Sequence, residues 1–463
     1  MKKLPLGIQT FKNIIEENYL YIDKTEIINK LISDGGKYYF ISRPRRFGKS
    51  LLISTLKEIF SGNKELFKGL WIYDKIEWKK YPIIHLDFSG ISYEKPDSLR
   101  KSLGNRMIDL LQNNNLSVNP DKDYKDNFKD LIEKLSEKEK VVILIDEYDK
   151  PLVEFVDKSE VAIENRDILK NFYEVIKESD QYLKFSILTG VSKFSRVSVF
   201  SGLNNLRDIT LSETFSTLFG YTEYELKHYF PEYLQSMAEK LKMEKETLYQ
   251  EIKNWYNGYS WDGENFVYNP FSILYLFTEQ QFNNYWFTSG TPTFLIKMIN
   301  QYETDIKTLE NLEVSASIFD SFDVNKMNVE SLLFQTGYLT IKKVIIKSIT
   351  RKKYILNYPN LEVKDSLLKN ILADFINKST SDVLVDKISE SIEENNLDDF
   401  FIHLKSLFAS IPSHLFIKNK EAYYHTIIYL VLTLVGVMIK VEVHTNKGRI
   451  DAVIETVENI YIL

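Results

Sequence analysis

Five consecutive aliphatic residues, Val141, Val142, Ile143, Leu144 and Ile145, run without a polar break into Asp146 and Glu147. A strand with one wet face alternates polar and apolar side chains. An unbroken run suits a strand buried on both faces, and hence a mostly parallel sheet covered by helices. The rest of residues 1–225 agrees with this. Apolar segments at 38–42, 83–88 and 183–188 alternate with helical patterns at 25–33, 99–111, 123–139 and 168–179. That alternation predicts an α/β class.

The turn after the first of these strands carries the chemistry. Arg43, Pro44, Arg45, Arg46, Phe47, Gly48, Lys49, Ser50 and Leu51 fit the phosphate-loop pattern G-x-x-x-x-G-K-[ST], except that Arg43 stands where the first glycine is expected. A strand before it and an amphipathic segment after it are the setting this motif needs, because main-chain N–H groups of the turn and the helix start converge on phosphate. Lys49 is then expected to reach the β- and γ-phosphates and Ser50 to ligate Mg²⁺. Pro44 stiffens the loop. Arg43, Arg45 and Arg46 offer positive charge to a triphosphate or a partner, although some of them are equally suited to solvent.

Asp146 and Glu147, at the tip of a buried strand, supply the second half of such a site. One carboxylate holds the metal, and the other orients and deprotonates the attacking water. In isolation they would read as a solvated loop start; beside Lys49 and Ser50 they point to ATP. Thr189, ending the 183–188 strand, is a candidate to hydrogen-bond the γ-phosphate or the lytic water. Arg196 and Arg207 are candidates to stabilise the transition state, in the same chain or across a contact in a homo-oligomer.

Charge and composition limit the alternatives. The chain is 44% hydrophobic and 27% charged with a net charge of -6, so a generally basic nucleic-acid coat is excluded and any such contact is local. There are no cysteines, hence no disulfides or thiolate metal sites. The six histidines show no ligand spacing. The longest apolar run, Ile427 to Ile439, is shorter than the roughly 20 residues of a membrane-spanning helix. It reads as a buried helix running into a strand. The N-terminus lacks the apolar core of an export signal, so a cytoplasmic location and no membrane partner are expected.

Beyond residue 225 the pattern changes. Residues 226–327 read as helical and aromatic-rich, with a hairpin turn at Trp261-Asp262-Gly263-Glu264. The aromatics of 255–271 suit a packed hairpin core better than a base-stacking platform. Residues 328–375 read as helix, strand, basic turn, strand and helix, the order of a winged-helix module. Lys342, Lys343, Lys347, Arg351, Lys352 and Lys353 fall on its hairpin, a candidate nucleic-acid contact whose alternative is a solvated tip. Residues 376–463 are helical at first and return to strands near 441–444 and 450–454.

Taken together, several stretches resemble the AAA-ATPase-like proteins, a mostly bacterial and largely uncharacterised family. These are Leu6-Gly7-Ile8-Gln9, Tyr21-Ile22-Asp23-Lys24-Thr25, residues 43–51, Ile145-Asp146-Glu147-Tyr148-Asp149, Leu188-Thr189-Gly190, residues 200–205, residues 255–259 and Tyr268-Asn269-Pro270. In that family an arginine at the first-glycine position is usual. The resemblance implies an α/β P-loop ATPase with ATP and Mg²⁺ as cofactors and a C-terminal PD-(D/E)XK nuclease-superfamily domain.

Glu421 and Asp451 match two positions of the nuclease pattern. The Glu-x-Lys that should follow on the next strand is not reached before Leu463, so no nuclease activity is expected from the chain as written. The expected function is an Mg²⁺-dependent ATPase that couples nucleotide state to this remnant. The alternative is an ATP-gated scaffold that turns nucleotide over negligibly.

Overall fold

In the computed structural model of the 463-residue chain, the described residues are 1–119, 121–155, 159–193, 203, 205–287, 295, 298–299, 306–319, 328–348, 351–375, 378–411, 421–435, 438–445, 448–455 and 460–462. The class is α/β. Strands β1 (Tyr38–Ser42), β2 (Ile83–Asp87), β3 (Val141–Asp146), β4 (Leu183–Gly190) and β5 (Arg207–Asp208) form one sheet in the order β2-β3-β4-β1-β5, with every pairing parallel. The aliphatic run of β3 is buried along its whole length, as its unbroken pattern requires. Helices Lys49–Phe60, Pro96–Asn113, Tyr124–Leu135 and Ser159–Glu178 supply the connections, each turning an apolar stripe to the sheet or to a neighbouring helix.

Strand order positions the chemistry. β4 lies between β1 and β3, so the loop after β1 and the carboxylates after β3 flank the end of β4. That end is crowded. A Cβ on Gly190 would stand 2.5 Å from the Tyr148 ring and 2.6 Å from Asp149 Oδ1. Only a glycine lets the turn after β3 close over β4.

Packing groups the chain differently from the four sequence segments 1–225, 226–327, 328–375 and 376–463. One compact unit comprises Met1–Trp286 with Asn311–Asn360; the other comprises Phe287–Glu310 with Leu361–Leu463. In the first unit, helices Glu223–Tyr229, Pro231–Leu241, Lys245–Tyr256 and Pro270–Glu279 pack around Leu226, Phe230, Ile252, Tyr256 and Phe277. Strands Asn257–Tyr259 and Val267–Tyr268 form the expected hairpin, with Asp262 Oδ1 accepting from the N–H groups of Glu264 and Asn265. The helix Val329–Thr336 and the antiparallel strands Thr340–Ser348 and Arg351–Asn357 follow, with Leu312–Ser315 as a third strand.

The second unit is built on helices Leu361–Phe375, Lys378–Glu393, Leu397–Ala409 and Glu421–Leu434, followed by the antiparallel strands Met438–Thr445, Gly448–Glu455 and Ile460–Ile462. Lys364 and the Tyr429 hydroxyl both engage Glu310, at 2.8 and 3.1 Å. Among the described residues no helix is long and apolar enough to cross a membrane.

Two glycines give opposite expectations. Gly190→Ala should lower unfolding free energy by about 1–3 kcal/mol through overpacking. Gly104→Ala, inside the Pro96–Asn113 helix with open space at its Cβ, should raise it by about 0.5–1 kcal/mol. Urea unfolding followed by circular dichroism measures both.

Candidate nucleotide site

The loop between β1 and the Lys49–Phe60 helix takes its shape from two left-handed residues, Arg46 (φ 67°) and Gly48 (φ 91°). Arg43 is not among the residues with positive φ, which is why a side chain is tolerated at the first-glycine position. The helix then begins at Lys49. Leu52 N–H already bonds Gly48 O, whereas the N–H groups of Lys49, Ser50 and Leu51 have no acceptor among the described residues. Three free donors at the positive end of a twelve-residue helix form an anion-binding geometry.

The arginines divide. Arg45 is exposed, and its carbonyl accepts from Trp286 Nε1 at 3.1 Å. Arg46 stacks over Phe271 at 3.8 Å, with Nη1 buried and unpartnered among the described residues. Arg43 departs from the expectation that it offers charge to a triphosphate. Its side chain is 1% exposed, with Nη1 donating to the carbonyls of Ser42 (2.8 Å) and Thr210 (3.0 Å) and the guanidinium 3.9 Å from the Trp261 ring centroid. Burial pushes it down to about 9, opposed by Asp208 and Asp262, so it stays cationic at neutral pH. The side chain is a strut under the loop.

The loop is braced from above by later residues. Phe47 meets Tyr259 and Trp261 edge-on at 4.7 and 5.5 Å. Pro44 packs so closely on Gly337 that a Cβ there would lie 2.7 Å from its Cγ.

Lys49 is buried, with Nζ donating to the carbonyls of Arg43 and Pro44 at 2.9 Å each. Burial lowers its pKa; the charges of Asp146, Asp149 and Glu147 oppose that, which sets all three acids around one ammonium. Asp146 is buried and accepts from the Thr189 hydroxyl at 2.5 Å. Glu147 is partly exposed, carries φ 52°, and lies 3.4 Å from Lys150 Nζ. A non-glycine residue in that region costs roughly 1–2 kcal/mol, so the fold imposes this direction on the side chain. Lys49, Ser50, Asp146, Glu147 and Thr189 therefore gather at the C-terminal ends of three parallel strands.

Asp149 matters more than its place in the sequence suggests. It is buried, and Oδ2 accepts from Val191 N (3.1 Å), Ser192 N (2.7 Å) and Ser192 Oγ (2.6 Å), clamping the turn after β3 to the end of β4. Burial raises its pKa, opposed first by the Ser192 bonds and then by Lys49. The signal available in the sequence was a third acid close behind Asp146. Arg207 does not join the group. It pairs with Tyr39, three residues before the end of β1, and its guanidinium bonds Asp34. Arg196 lies outside the described residues, as do the side chains of Glu421, which begins its helix, and Asp451, which lies within the strand Gly448–Glu455.

Beside the loop is a mainly apolar cavity of about 80 Å³ lined by Leu20, Ile22, Gly48, Leu51, Leu52 and Tyr221. Its cation, Lys24, is committed to Glu225 (2.6 Å) and Thr217 O (3.0 Å).

Comparison with known proteins shows the family of this chain. The AAA-ATPase-like model, described as a predicted AAA-ATPase, matches residues 5–200, and a PD-(D/E)XK nuclease superfamily model matches residues 419–463. An uncharacterised protein of the vnfD 5′ region in Azotobacter chroococcum mcd 1 is 37% identical over 473 residues, covering 100% of this chain and 88% of that protein. The chain belongs to the AAA-ATPase-like family. Among solved structures, the Aeropyrum pernix ORC1 protein in complex with DNA aligns at TM-score 0.27 and 10% identity, covering 78% of this chain and 96% of that one.

The strut makes a counterintuitive prediction. Arg43→Gly restores the common phosphate-loop pattern, yet should cost about 2–4 kcal/mol of unfolding free energy by stranding the buried carbonyls of Ser42 and Thr210. Chemical denaturation of the full chain measures this.

Proposed function

We propose that the protein binds Mg²⁺-ATP at the 43–51 loop and hydrolyses it. The observation that carries this reading is that three unpaired helix N–H donors, the Lys49 ammonium and the Asp146–Thr189 pair lie at the C-terminal ends of adjacent strands β1, β4 and β3. The N–H groups of Lys49, Ser50 and Leu51 bind phosphate oxygens, and Lys49 exchanges its two carbonyl acceptors for them. Its alternative, that Lys49 serves only as an internal clasp, leaves those N–H donors without a purpose.

The donor set fits Mg²⁺. The ion is held in P-loop sites by one or two side chains plus water and phosphate, which needs no cage of three protein ligands, and none is present among the described residues. Ser50 and Asp146 would hold it, and it would supply charge neutralisation at the phosphates. Thr189 orients Asp146 through their hydrogen bond. Glu147, on its constrained turn, accepts the proton of the attacking water; the ion pair with Lys150 helps to aim it. Nucleotide state is coupled to the nuclease-superfamily region that the 419–463 match marks.

Two variants test the reading. Lys49→Ala should abolish ATP binding in equilibrium titration. Glu147→Gln should keep binding near wild type while lowering steady-state turnover by about 10²–10⁴. Equal, negligible turnover by wild type and Glu147→Gln would favour the ATP-gated scaffold instead.

A further inference from the structure

Between Glu330 and Glu362 the chain contains no acidic residue, although the whole protein carries a net charge of -6. The cations of this stretch lie on the hairpin Thr340–Ser348 and Arg351–Asn357. Lys342 is turned inward, its Nζ donating to Pro359 O at 2.8 Å, and burial pushes it down to about 8. Lys343, Lys347, Arg351, Lys352 and Lys353 are exposed. Only Lys353 has an ion pair among the described residues, with Glu313 at 2.7 Å.

The register distributes these charges around the ribbon. Lys343 lies opposite Ile355 and Lys353 opposite Ile345 on one face, while Lys352 lies opposite Ile346 on the other. Toward the base, the second face is packed, with Tyr354 against Phe319 at 4.8 Å and Val344 against Gly263. Farther out, Ile346 is 70% exposed, and Lys347, Arg351 and Lys352 are exposed among the described residues. The base itself is fixed, since Thr340 Oγ1 and Ser260 exchange hydrogen bonds at 2.7 and 2.8 Å. A rigid two-stranded arm with cations on both faces suits a partner that surrounds it with phosphates. A flat anionic membrane would meet one face only. A groove of a nucleic-acid duplex is wide enough for a two-stranded ribbon and lined by phosphates on both sides.

We propose that the outer half of this hairpin, through Lys343, Lys347, Arg351, Lys352 and Lys353, binds the phosphate backbone of duplex nucleic acid without sequence preference. The contact is electrostatic, so its affinity falls with salt, with a slope of about 0.9 per phosphate engaged.

The test is fluorescence anisotropy with the full chain and 20-base-pair DNA and RNA duplexes of two unrelated sequences each, between 50 and 300 mM KCl. Wild type should bind at 50 mM KCl with similar affinity for both sequences of a given duplex. The triple variant K343E/K347E/K352E should bind at least tenfold more weakly, with the salt slope reduced by about 3. Its thermal melting and ATP turnover should match wild type, which shows that the fold is kept. Lack of wild-type binding to either duplex at 50 mM KCl would overturn the proposal. Unchanged affinity and slope in the triple variant, or binding only to vesicles containing phosphatidylserine, would also overturn it.

Discussion

A buried guanidinium holds this molecule's working end together. Arg43 follows β1 directly, and its side chain spans from the Ser42 carbonyl to Thr210 after β5, and onto the indole of Trp261. A buried cation is costly unless most of its donors are met and its charge is opposed; here Nη1 has two carbonyl acceptors, whereas Nε has no partner among the described residues. That requirement fixes the β5 turn and the hairpin of residues 257–268 against the loop. Phe47 and Pro44 repeat the constraint from the other side. The loop is thus clamped between sheet and hairpin, which is what a phosphate site needs if its N–H donors are to be preorganised.

Much of this was legible in the sequence because it rests on local rules. The β3 run could only be a strand covered on both faces, and a Gly-Lys-Ser after an apolar strand implies a helix start with free N–H groups. The hairpin at Asp262-Gly263 and the strand pair around the basic turn also follow from nearest-neighbour chemistry. The direction of the Arg43 side chain was not legible, since it depends on Thr210, Phe215 and Trp261, well over a hundred residues away. An arginine in a phosphate loop reads as a ligand until its acceptors are seen. Lys342 was misleading for the same reason: its acceptor, Pro359 O, is set by tertiary packing. The grouping of residues 287–310 with the C-terminal unit was hidden too, because packing there ignores contiguity.

The acids at the end of β3 show how neighbours in sequence acquire different environments. Asp146 continues the strand and is buried against Thr189. Glu147 takes the left-handed turn that β4 forces on it and reaches partly into solvent. Asp149 is buried, bound to the end of β4 by three donors, and depends on Gly190 for room. One geometric event, the closure of this turn over β4, gives a buried acceptor, a conformationally constrained carboxylate and a clamp.

The central claim is that Glu147 and Lys49 act on the γ-phosphate of a single bound nucleotide with water as the attacking group. A single-turnover assay with protein in excess over Mg²⁺-ATP, run in H₂¹⁸O and read by mass spectrometry of the products, tests it most directly. The structure predicts ADP and inorganic phosphate carrying one ¹⁸O atom. Recovery of intact ATP after prolonged incubation, or of phosphate without the label, would contradict it.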